Sequence, residues 1–169
     1  MTKEVLATGK YLSLVCIDGY EMVERVNCTG VVVILPITED GKIIFVEQFR
    51  PPIQKKTIEL PAGLVSDLES AQGESMVDAA RRELEEETGY RAATFEQIGV
   101  WPTTSGMSSE TVTVFRARGL TRVGDGGGDE QEDITVHTVP LADVKPWLEK
   151  MSRAGFMIDP KIYAGLYWA

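Results

Sequence analysis

Acidic side chains are concentrated in two short segments of this chain of 169 residues. The two clusters are Glu83, Glu85, Glu86 and Glu87, and then Asp129, Glu130, Glu132 and Asp133. On a helix of about 100° per residue, Glu83 and Glu87 lie about 40° apart, and Glu86 lies about 60° to the other side of Glu83. Three like charges on one face near a helix C-terminus cost stability unless a cation compensates them. Carboxylate oxygens suit Mg²⁺, Mn²⁺ or Ca²⁺ better than zinc, so the spacing indicates a site for a hard cation.

A solvated acidic surface explains the first cluster equally simply. Glutamate-rich helix faces are common, and Arg81 and Arg82 are spaced as i,i+4 partners of Glu85 and Glu86. The second cluster favours the metal site, because a flexible acidic loop after several glycines can close over a cation. The carboxylates alone leave both interpretations open.

The first cluster needs a helix to position it, and the flanking residues predict one. Ser75 is a good N-cap, Asp78 gives a variant capping box three residues later, and Gly89 is a natural C′ residue. An apolar stripe at i, i+3 and i+7 supports this helix: Val77, Ala80 and Leu84.

Strands are predicted around this helix from β-branched and aromatic runs. They span residues 11–17, 20–26, 31–37, 43–46, 57–60, 95–101, 111–117 and 134–139. Asp18-Gly19 predicts a hairpin turn, and residues 39–41 predict a second hairpin whose continuously apolar strands indicate a sheet covered on both faces. Two further helices are expected at 141–151 and about 160–168, and the glycine-rich segment (residues 124–128, G-D-G-G-G) is expected to be mobile. This order of elements is typical of an α+β sandwich.

The overall composition excludes several classes of function. The formal net charge is -9 and the pI is about 4.7, which argues against binding to nucleic acid or to an anionic membrane. We expect a cytoplasmic protein, because no apolar run is long enough for a membrane span and no secretory signal is visible. The two cysteines, Cys16 and Cys28, are expected to be reduced core thiols, and the single His137 is expected to be structural.

Residues 74–90 read E-S-M-V-D-A-A-R-R-E-L-E-E-E-T-G-Y and resemble the Nudix box, G-x5-E-x7-R-E-U-x-E-E-x-G-U, where U is apolar. The matching positions are Glu74, Arg82, Glu83, Leu84, Glu86, Glu87, Gly89 and, more loosely, Tyr90. The opening glycine, Gly63, is separated from Glu74 by ten residues instead of five. Residues 64–73 are therefore expected to carry a loop insertion.

The resemblance extends to one branch of the family. Residues 48–52 (Q-F-R-P-P), 59–63 (E-L-P-A-G) and 130–134 (E-Q-E-D-I) are similar to the ADP-ribose pyrophosphatases among the Nudix hydrolases. This resemblance implies Mg²⁺-dependent hydrolysis of the diphosphate bond of a nucleoside diphosphate sugar, ADP-ribose first, to a nucleoside monophosphate and a sugar phosphate. The alternatives are a preference for GDP-mannose or a UDP-sugar, hydrolysis of RNA caps or dinucleoside polyphosphates, and a sensor that binds nucleotide sugars without hydrolysis.

The same resemblance implies roles for individual residues. The implied ligands of two or three Mg²⁺ ions, with Mn²⁺ as an alternative, are Glu83, Glu87, Glu132 and the carbonyl of Ala62. The implied catalytic residues are Glu130 as general base, Glu86 acting through water or assisting the nucleophile, and Arg82 in a structural pair with Glu74. The implied substrate-binding residues are Arg50 at the diphosphate, Tyr11 and Tyr20 on either side of a base, Arg25 nearby, and Gly106 and Met107.

The resemblance also implies the fold class and the assembly. It implies an α+β protein, a Nudix-type α/β/α sandwich of mixed sheet with a swapped N-terminal β-hairpin region. Residues 1–28 would form the dimerising β region, and residues 29–169 one continuous hydrolase domain. The predicted N-terminal hairpin is only partly amphipathic, which favours a homodimer because its strands need another surface to cover them.

Overall fold

The computed structural model describes residues 1–26, 28–66, 73–128 and 132–169. The strands are β1 Lys3–Thr8, β2 Leu12–Ile17, β3 Tyr20–Arg25, β4 Gly30–Pro36, β5 Lys42–Arg50, β6 Lys55–Glu59, β7 Ala62–Val65, β8 Tyr90–Arg91, β9 Thr94–Pro102, β10 Thr111–Arg118, β11 Thr121–Arg122, β12 Thr135–Pro140 and β13 Met157–Ile158. The helices are α1 Met76–Thr88, α2 Val144–Arg153 and α3 Pro160–Leu166.

Two mixed four-stranded sheets form the body of the protein. Their strand orders are β7-β4-β10-β9, with β10 parallel to β4, and β12-β5-β6-β13, with β13 parallel to β6. A three-stranded antiparallel sheet, β1-β2-β3, precedes them, and β11 pairs with β8 in a short ribbon. The predicted α+β class is confirmed, and in the described residues no helix is long and apolar enough to cross a membrane.

Strands β4 and β5 do not form the predicted hairpin. Within the described residues 30–50 they enter different sheets, and an isolated bridge between Ile37 and Ile43 is their point of pairing. Their predicted coverage on both faces is confirmed. One face of β4 places Val32 and Ile34 in the core under α1, while the other shares a second core with β5, β6, α2 and α3. Because an unbroken apolar run has no polar face to fix its partner, pairing of β4 with the distant β10 was not readable from the sequence.

Helix α1 follows its predicted limits. The Ser75 side chain accepts a hydrogen bond from the backbone N–H of Asp78 at 3.2 Å, and Gly89 ends the helix at φ +72°. Ala80 and Leu84 are fully buried against β4. The sequence-based limits of the other helices are less accurate, because residues 141–143 form one 3₁₀ turn before α2 and α3 ends at Leu166.

The N-terminal sheet is attached to the loop between β9 and β10. The backbone N–H of Val23 donates to the carbonyl of Met107 at 2.9 Å, and Val23 also bridges Ser108. Strand β1 was not predicted, because its Lys-Glu-Val-Leu-Ala-Thr sequence lacks clear alternation, and all of its residues are exposed. Cys16 and Cys28 are unpaired as expected, but both are half-buried and neither lies in the core.

Candidate active site

The carboxylates of α1 lie against the start of β7. Glu87 is only 2% exposed, and its side chain accepts a hydrogen bond from the backbone N–H of Ala62 at 3.0 Å. Gly63 lets the two elements approach, since a Cβ at this position would lie 1.9 Å from the carboxyl carbon of Glu83. The glycine that opens the motif therefore makes room for the carboxylate that follows it.

These carboxylates are hard to ionise where they lie. Burial raises the pKa of Glu83 to about 7, and the charges of Glu86 and Glu132 contribute to the increase although Arg82 opposes it. Burial also raises the pKa of Glu87 well above its usual range, with further contributions from Glu83 and Glu132. Full ionisation of this group requires additional positive charge.

Arg82 connects the helix to β7. Its guanidinium donates to Glu74 and to the carbonyl of Leu64, both at 3.0 Å, and to Glu83 at 2.7 Å and Glu86 at 3.1 Å. The predicted pair between Arg82 and Glu74 is thus present. Glu74 also accepts the backbone N–H of Ser66 at 3.0 Å, which joins residues near the two ends of the loop between β7 and α1. Residues 64 and 65 continue β7, and residues 67–72 lie outside the described part of the chain, so the position of the extra residues stays a prediction.

A cavity of about 310 Å³ opens beside these residues. Arginine and glutamate side chains from several elements line it: Arg25, Arg50, Arg82, Glu83, Glu86 and Glu132. Arg50 is held in place by both carboxylate oxygens of Glu59, at 2.7 and 2.6 Å. Hydrogen bonding to Glu59 and the nearby charges of Glu87 and Glu132 raise the pKa of Arg50. The structure therefore brings predicted diphosphate-binding and metal-binding residues to one cavity.

A second cavity, of about 270 Å³, adjoins the first and shares Arg25 and Val31 with it. Arg25 forms an ion pair with Glu110 beside the second cavity. Gly106 and Met107 lie in the loop that meets β3, and the Tyr20 hydroxyl donates to the carbonyl of Gly106 at 3.3 Å. Tyr20, Gly106 and Met107 are thus close together, but none of them lines either of the two cavities.

Tyr11 is not part of that group. The hairpin register pairs Leu12 with Arg25 and Ile17 with Tyr20, so Tyr11 and Tyr20 lie at opposite ends of the ladder, separated by about 17 Å or more. The expectation that both rings enclose one base is therefore wrong for a single chain. Because the tight turn lies at residues 18–19, Tyr20 is next to the turn, whereas Tyr11 is at the open end of the hairpin.

Glu132 lies on the wall of the main cavity, after the glycine-rich segment. The segment has no helix or strand, as predicted, but it is hydrogen-bonded to the end of α1: Gly127 donates to the carbonyl of Glu87 at 3.0 Å. Glu130, the predicted general base, falls in residues 129–131, outside the described residues.

The oxygen donors around this cavity fit a hard divalent cation. Glu83, Glu87 and Glu132 have carboxylates, and Ala62 contributes backbone to the same cavity wall. Across the described ranges, no three acidic, histidine or cysteine side chains already converge as a closed cage. Glu83 accepts a hydrogen bond from Arg82 through one carboxylate oxygen, and Glu87 accepts one from Ala62 in the same way.

Sequence patterns gave little indication of Glu59 and Glu110, which hold Arg50 and Arg25. The burial of Glu59 could have been predicted, because a single acidic residue between Ile58 and Leu60 is buried when the strand is central in its sheet. Glu110 had none, since its role depends on how β3 meets a distant loop. His137 accords with the structural expectation: it hydrogen-bonds Glu47 at 2.9 Å and lies against Trp147.

A family model described as the NUDIX domain matches residues 27–159. The chain belongs to the Nudix family. It is a Nudix pyrophosphohydrolase, and Nudix hydrolases generally use divalent metal ions.

Several known proteins resemble this Nudix hydrolase. The ADP-ribose pyrophosphatase of Bacillus subtilis is 35% identical over 157 residues, which cover 88% of this chain and 82% of that protein. The ADP-ribose pyrophosphatase of Mycobacterium tuberculosis is 34% identical, covering 85% and 70%. The GDP-mannose pyrophosphatase of Cronobacter sakazakii is 32% identical, covering 83% and 72%. A crystal structure of an ADP compounds hydrolase shares the fold, with a TM-score of 0.69 and 23% identity over 88% of this chain and 81% of that one.

Proposed function

We propose that this Nudix hydrolase splits the diphosphate bond of nucleoside diphosphate sugars in a Mg²⁺-dependent reaction, with ADP-ribose as the preferred substrate. The observation that carries the proposal is the cavity in which Glu83 and Glu132 face Arg50, with Glu87 buried beside them. An anionic diphosphate can bind among carboxylates only where cations neutralise both, and the cavity offers arginines together with oxygen donors for a metal.

The proposed metal ligands are Glu83, Glu87, Glu132 and the carbonyl of Ala62, holding two or three ions. Mg²⁺ bound there would neutralise diphosphate oxygens and lower the pKa of a bound water. Gly63 leaves space for Glu83 at the bottom of this site, and Arg82 holds Glu74 and the carbonyl of Leu64, which keeps β7 against α1.

The remaining residues bind the substrate and activate water. Arg50, oriented by Glu59, contacts the diphosphate through a planar fork of donors. Glu130 removes the proton from the attacking water as general base, and Glu86, which is more exposed than Glu83 and Glu87, acts through water or assists the nucleophile. Arg25, which lines both cavities, contacts the rest of the nucleotide sugar. Tyr20, Gly106 and Met107, which lie together at the other end of β3, are proposed to contact its outer part.

Relatives support ADP-ribose as the first substrate to test. Two of the relatives described above are ADP-ribose pyrophosphatases, and a third is a GDP-mannose pyrophosphatase. Initial rates for ADP-ribose, GDP-mannose, UDP-glucose and diadenosine polyphosphates at the same Mg²⁺ concentration decide among them. We expect AMP and ribose 5-phosphate from ADP-ribose at the highest kcat/KM. A higher kcat/KM for GDP-mannose would overturn the ADP-ribose assignment while keeping the reaction class.

Glu87→Gln tests the catalytic site, with Glu85→Gln as the matched control. Glu85 lies on the same helix but pairs with Arg91 on the outer surface. We expect Glu87→Gln to lower kcat by more than about 100-fold, since even residues that only support metal ligands contribute about 10- to 100-fold. Glu85→Gln should remain near the wild-type rate. Wild-type turnover in Glu87→Gln would refute the site, and tight ADP-ribose binding by the wild type with no product in Mg²⁺ would favour a sensor.

We further propose a homodimer formed through the N-terminal β region, residues 1–28. The outward face of β2 exposes Leu12 and Leu14, and β1 exposes Val5 and Leu6. Apolar strand faces of this kind are usually covered by another surface. A second chain could also place its Tyr11 near the Tyr20 of the first, which one chain cannot do alone.

A further inference from the structure

The glycine-rich segment is hydrogen-bonded to the C-terminal end of α1. Val123 and Gly124 donate backbone N–H groups to the carbonyl of Gly89, at 2.8 and 3.1 Å. Gly127 and Gly128 donate to the carbonyls of Glu87 and Glu86, both at 3.0 Å. The last carbonyls of a helix have no partner within the helix, so the segment caps the helix end that carries the acidic residues.

This contact requires glycine at particular positions. A Cβ on Gly126 would lie 2.4 Å from the backbone carbon of Thr88 and 2.7 Å from the carbonyl oxygen of Glu87. A Cβ on Gly89 would lie 2.3 Å from the carbonyl oxygen of Gly124. Both glycines have positive φ, +70° for Gly126 and +72° for Gly89. Glycines in a flexible spacer need not contact another part of the backbone. Here they do, so these glycines hold the segment in a defined position against α1.

The same segment also lies against Glu132. Gly127 accepts a hydrogen bond from the N–H of Ile134 at 3.3 Å while donating to the carbonyl of Glu87. A Cβ on Gly128 would lie 2.5 Å from a carboxylate oxygen of Glu132. Gly127 therefore joins the backbone of Glu87 on α1 to Ile134, two residues after Glu132 and just before β12.

We propose that Gly126, Gly127 and Gly128 are positioning residues that set the location of Glu132 relative to Glu83 and Glu87. This inference rests on the proposed function, in which these three carboxylates hold the cation. Donation of N–H groups to the carbonyls of Glu86 and Glu87 also offsets the negative end of the α1 dipole, where the carboxylates already repel one another. The segment thus orders the acidic residues before a cation arrives, which lowers the entropy lost when it binds.

Gly126→Ala tests the proposal, with Gly41→Ala as the matched control. Gly41 has nearly the same φ, +73°, but a Cβ added there would meet nothing within 4 Å. The readout is Mn²⁺ binding to the metal-free protein, measured by calorimetry, which requires neither substrate nor turnover. We expect Gly126→Ala to weaken Mn²⁺ binding about 10-fold or more and Gly41→Ala to leave it within about twofold, since the loss of residues that orient metal ligands weakens affinity about 10- to 100-fold.

Hydrogen exchange on the wild-type protein covers the case in which Gly126→Ala does not fold. We expect the amides of Gly127 and Gly128 to exchange slowly in the metal-free protein, because each is bonded to α1. Exchange of both as fast as the amide of the solvent-exposed Asp125 would overturn the proposal, as would equal Mn²⁺ affinities in the two glycine variants.

Glu132→Gln separates this inference from the proposed function. Weaker Mn²⁺ binding in Glu132→Gln, together with wild-type binding in Gly126→Ala, would refute the positioning role and leave the metal site intact. Wild-type Mn²⁺ binding in Glu132→Gln would refute Glu132 as a ligand, and with it the purpose assigned to the segment.

Discussion

At the level of single residues, the candidate site is defined by carboxylates that the protein itself buries. Glu87 is almost completely enclosed, and Glu83 is packed between Gly63 and Arg82. Such groups are unfavourable for folding when charged, and the same burial makes them suitable for the proposed cation. Stability and metal affinity are therefore linked through the same side chains.

Glu83→Gln should show this link as a pH dependence in the metal-free protein. The pKa of Glu83 is raised from 4.5 to about 7, so the folded state holds its proton more tightly than the unfolded state. Wild-type stability should fall as pH rises from about 4.5 to about 7, and the variant should lack this loss. At pH 8 we expect metal-free Glu83→Gln to be more stable than wild type by up to about 3 kcal/mol, with no advantage at pH 4.5.

Urea unfolding at the two pH values measures the difference, and saturating Mg²⁺ provides the control. Because the cation binds only the folded site, Mg²⁺ should stabilise wild type more than the variant. If Mg²⁺ raised the free energy of unfolding of Glu83→Gln as much as that of the wild type, the role of Glu83 as a ligand would be contradicted.

Glu59→Gln should have the opposite pH dependence. Burial would raise the pKa of Glu59, but hydrogen bonds and charge from Arg50, with a further bond from Thr57, hold it below the usual range. Its contribution to stability is thus present above pH 4.5 and is lost as pH falls through the lowered pKa. We expect a loss of about 2 kcal/mol at pH 7, because Glu59 is buried and accepts charged hydrogen bonds, although the Arg50 side chain is 42% exposed and partly solvated, and a smaller loss at pH 3.

Glu149→Gln controls for the loss of any surface ion pair. Glu149 pairs with Arg153 on the exposed side of α2, where ion pairs contribute about 0.2–1 kcal/mol. Equal destabilisation of the two variants at pH 7 would show that Arg50 does not depend on Glu59.

Among the secondary-structure elements, α1 and β7 present the chemistry together. The helix provides three carboxylates and Arg82, while β7 provides Ala62 and Gly63. The two ends of α1 are fixed differently. Ser75 caps the N-terminus locally, whereas the glycine-rich segment caps the C-terminus from a much later part of the chain. Only the first of these two caps was readable as a local pattern.

Ser75→Ala should weaken the N-terminus of α1. The Ser75 hydroxyl accepts the Asp78 N–H, and loss of an N-cap costs about 1 kcal/mol. The unfolding temperature measures this loss. Ser152→Ala, at an exposed position of α2, is the control and should leave the unfolding temperature nearly unchanged. An unchanged unfolding temperature in Ser75→Ala would show that packing of Ala80 and Leu84 alone fixes the start of the helix.

In the molecule as a whole, the N-terminal sheet lies beside the site and leaves an apolar face uncovered. Its attachment to the loop at Met107 brings Arg25 to both cavities. Its outward residues, Leu12 and Leu14, are 47% and 38% exposed, which is high for leucines in the middle of a sheet. A second copy of the chain is the proposed cover.

Light scattering tests the proposed dimer. We expect a mass twice the 18.6 kDa of one chain at micromolar concentration. Leu14→Glu should shift the protein to the monomer, since a charge buried in an apolar interface is unfavourable. Tyr163→Glu, on the exposed side of α3, should remain dimeric. A wild-type mass of 18.6 kDa would refute the dimer.

Local sequence patterns were sufficient for the parts of the protein that depend on neighbours along the chain. The limits of α1 followed from Ser75, an apolar stripe and Gly89, because caps and helical periodicity are local. The spacing of the acidic residues on that helix placed Glu83 and Glu87 on one face for the same reason. Most strands were recognised from their composition, although β1, β7 and the short strands β8, β11 and β13 were not.

Contacts between distant residues were fixed only when the chain packed into its fold. Unbroken apolar runs suit several partners, so packing alone separated β4 and β5 into two sheets and paired β4 in parallel with β10. The same is true of Glu59 behind Arg50, and of Tyr11 lying far from Tyr20. The glycine-rich segment shows the difference most clearly: residues that lack a local preference are held in place because their backbone N–H groups find the open carbonyls at the end of α1.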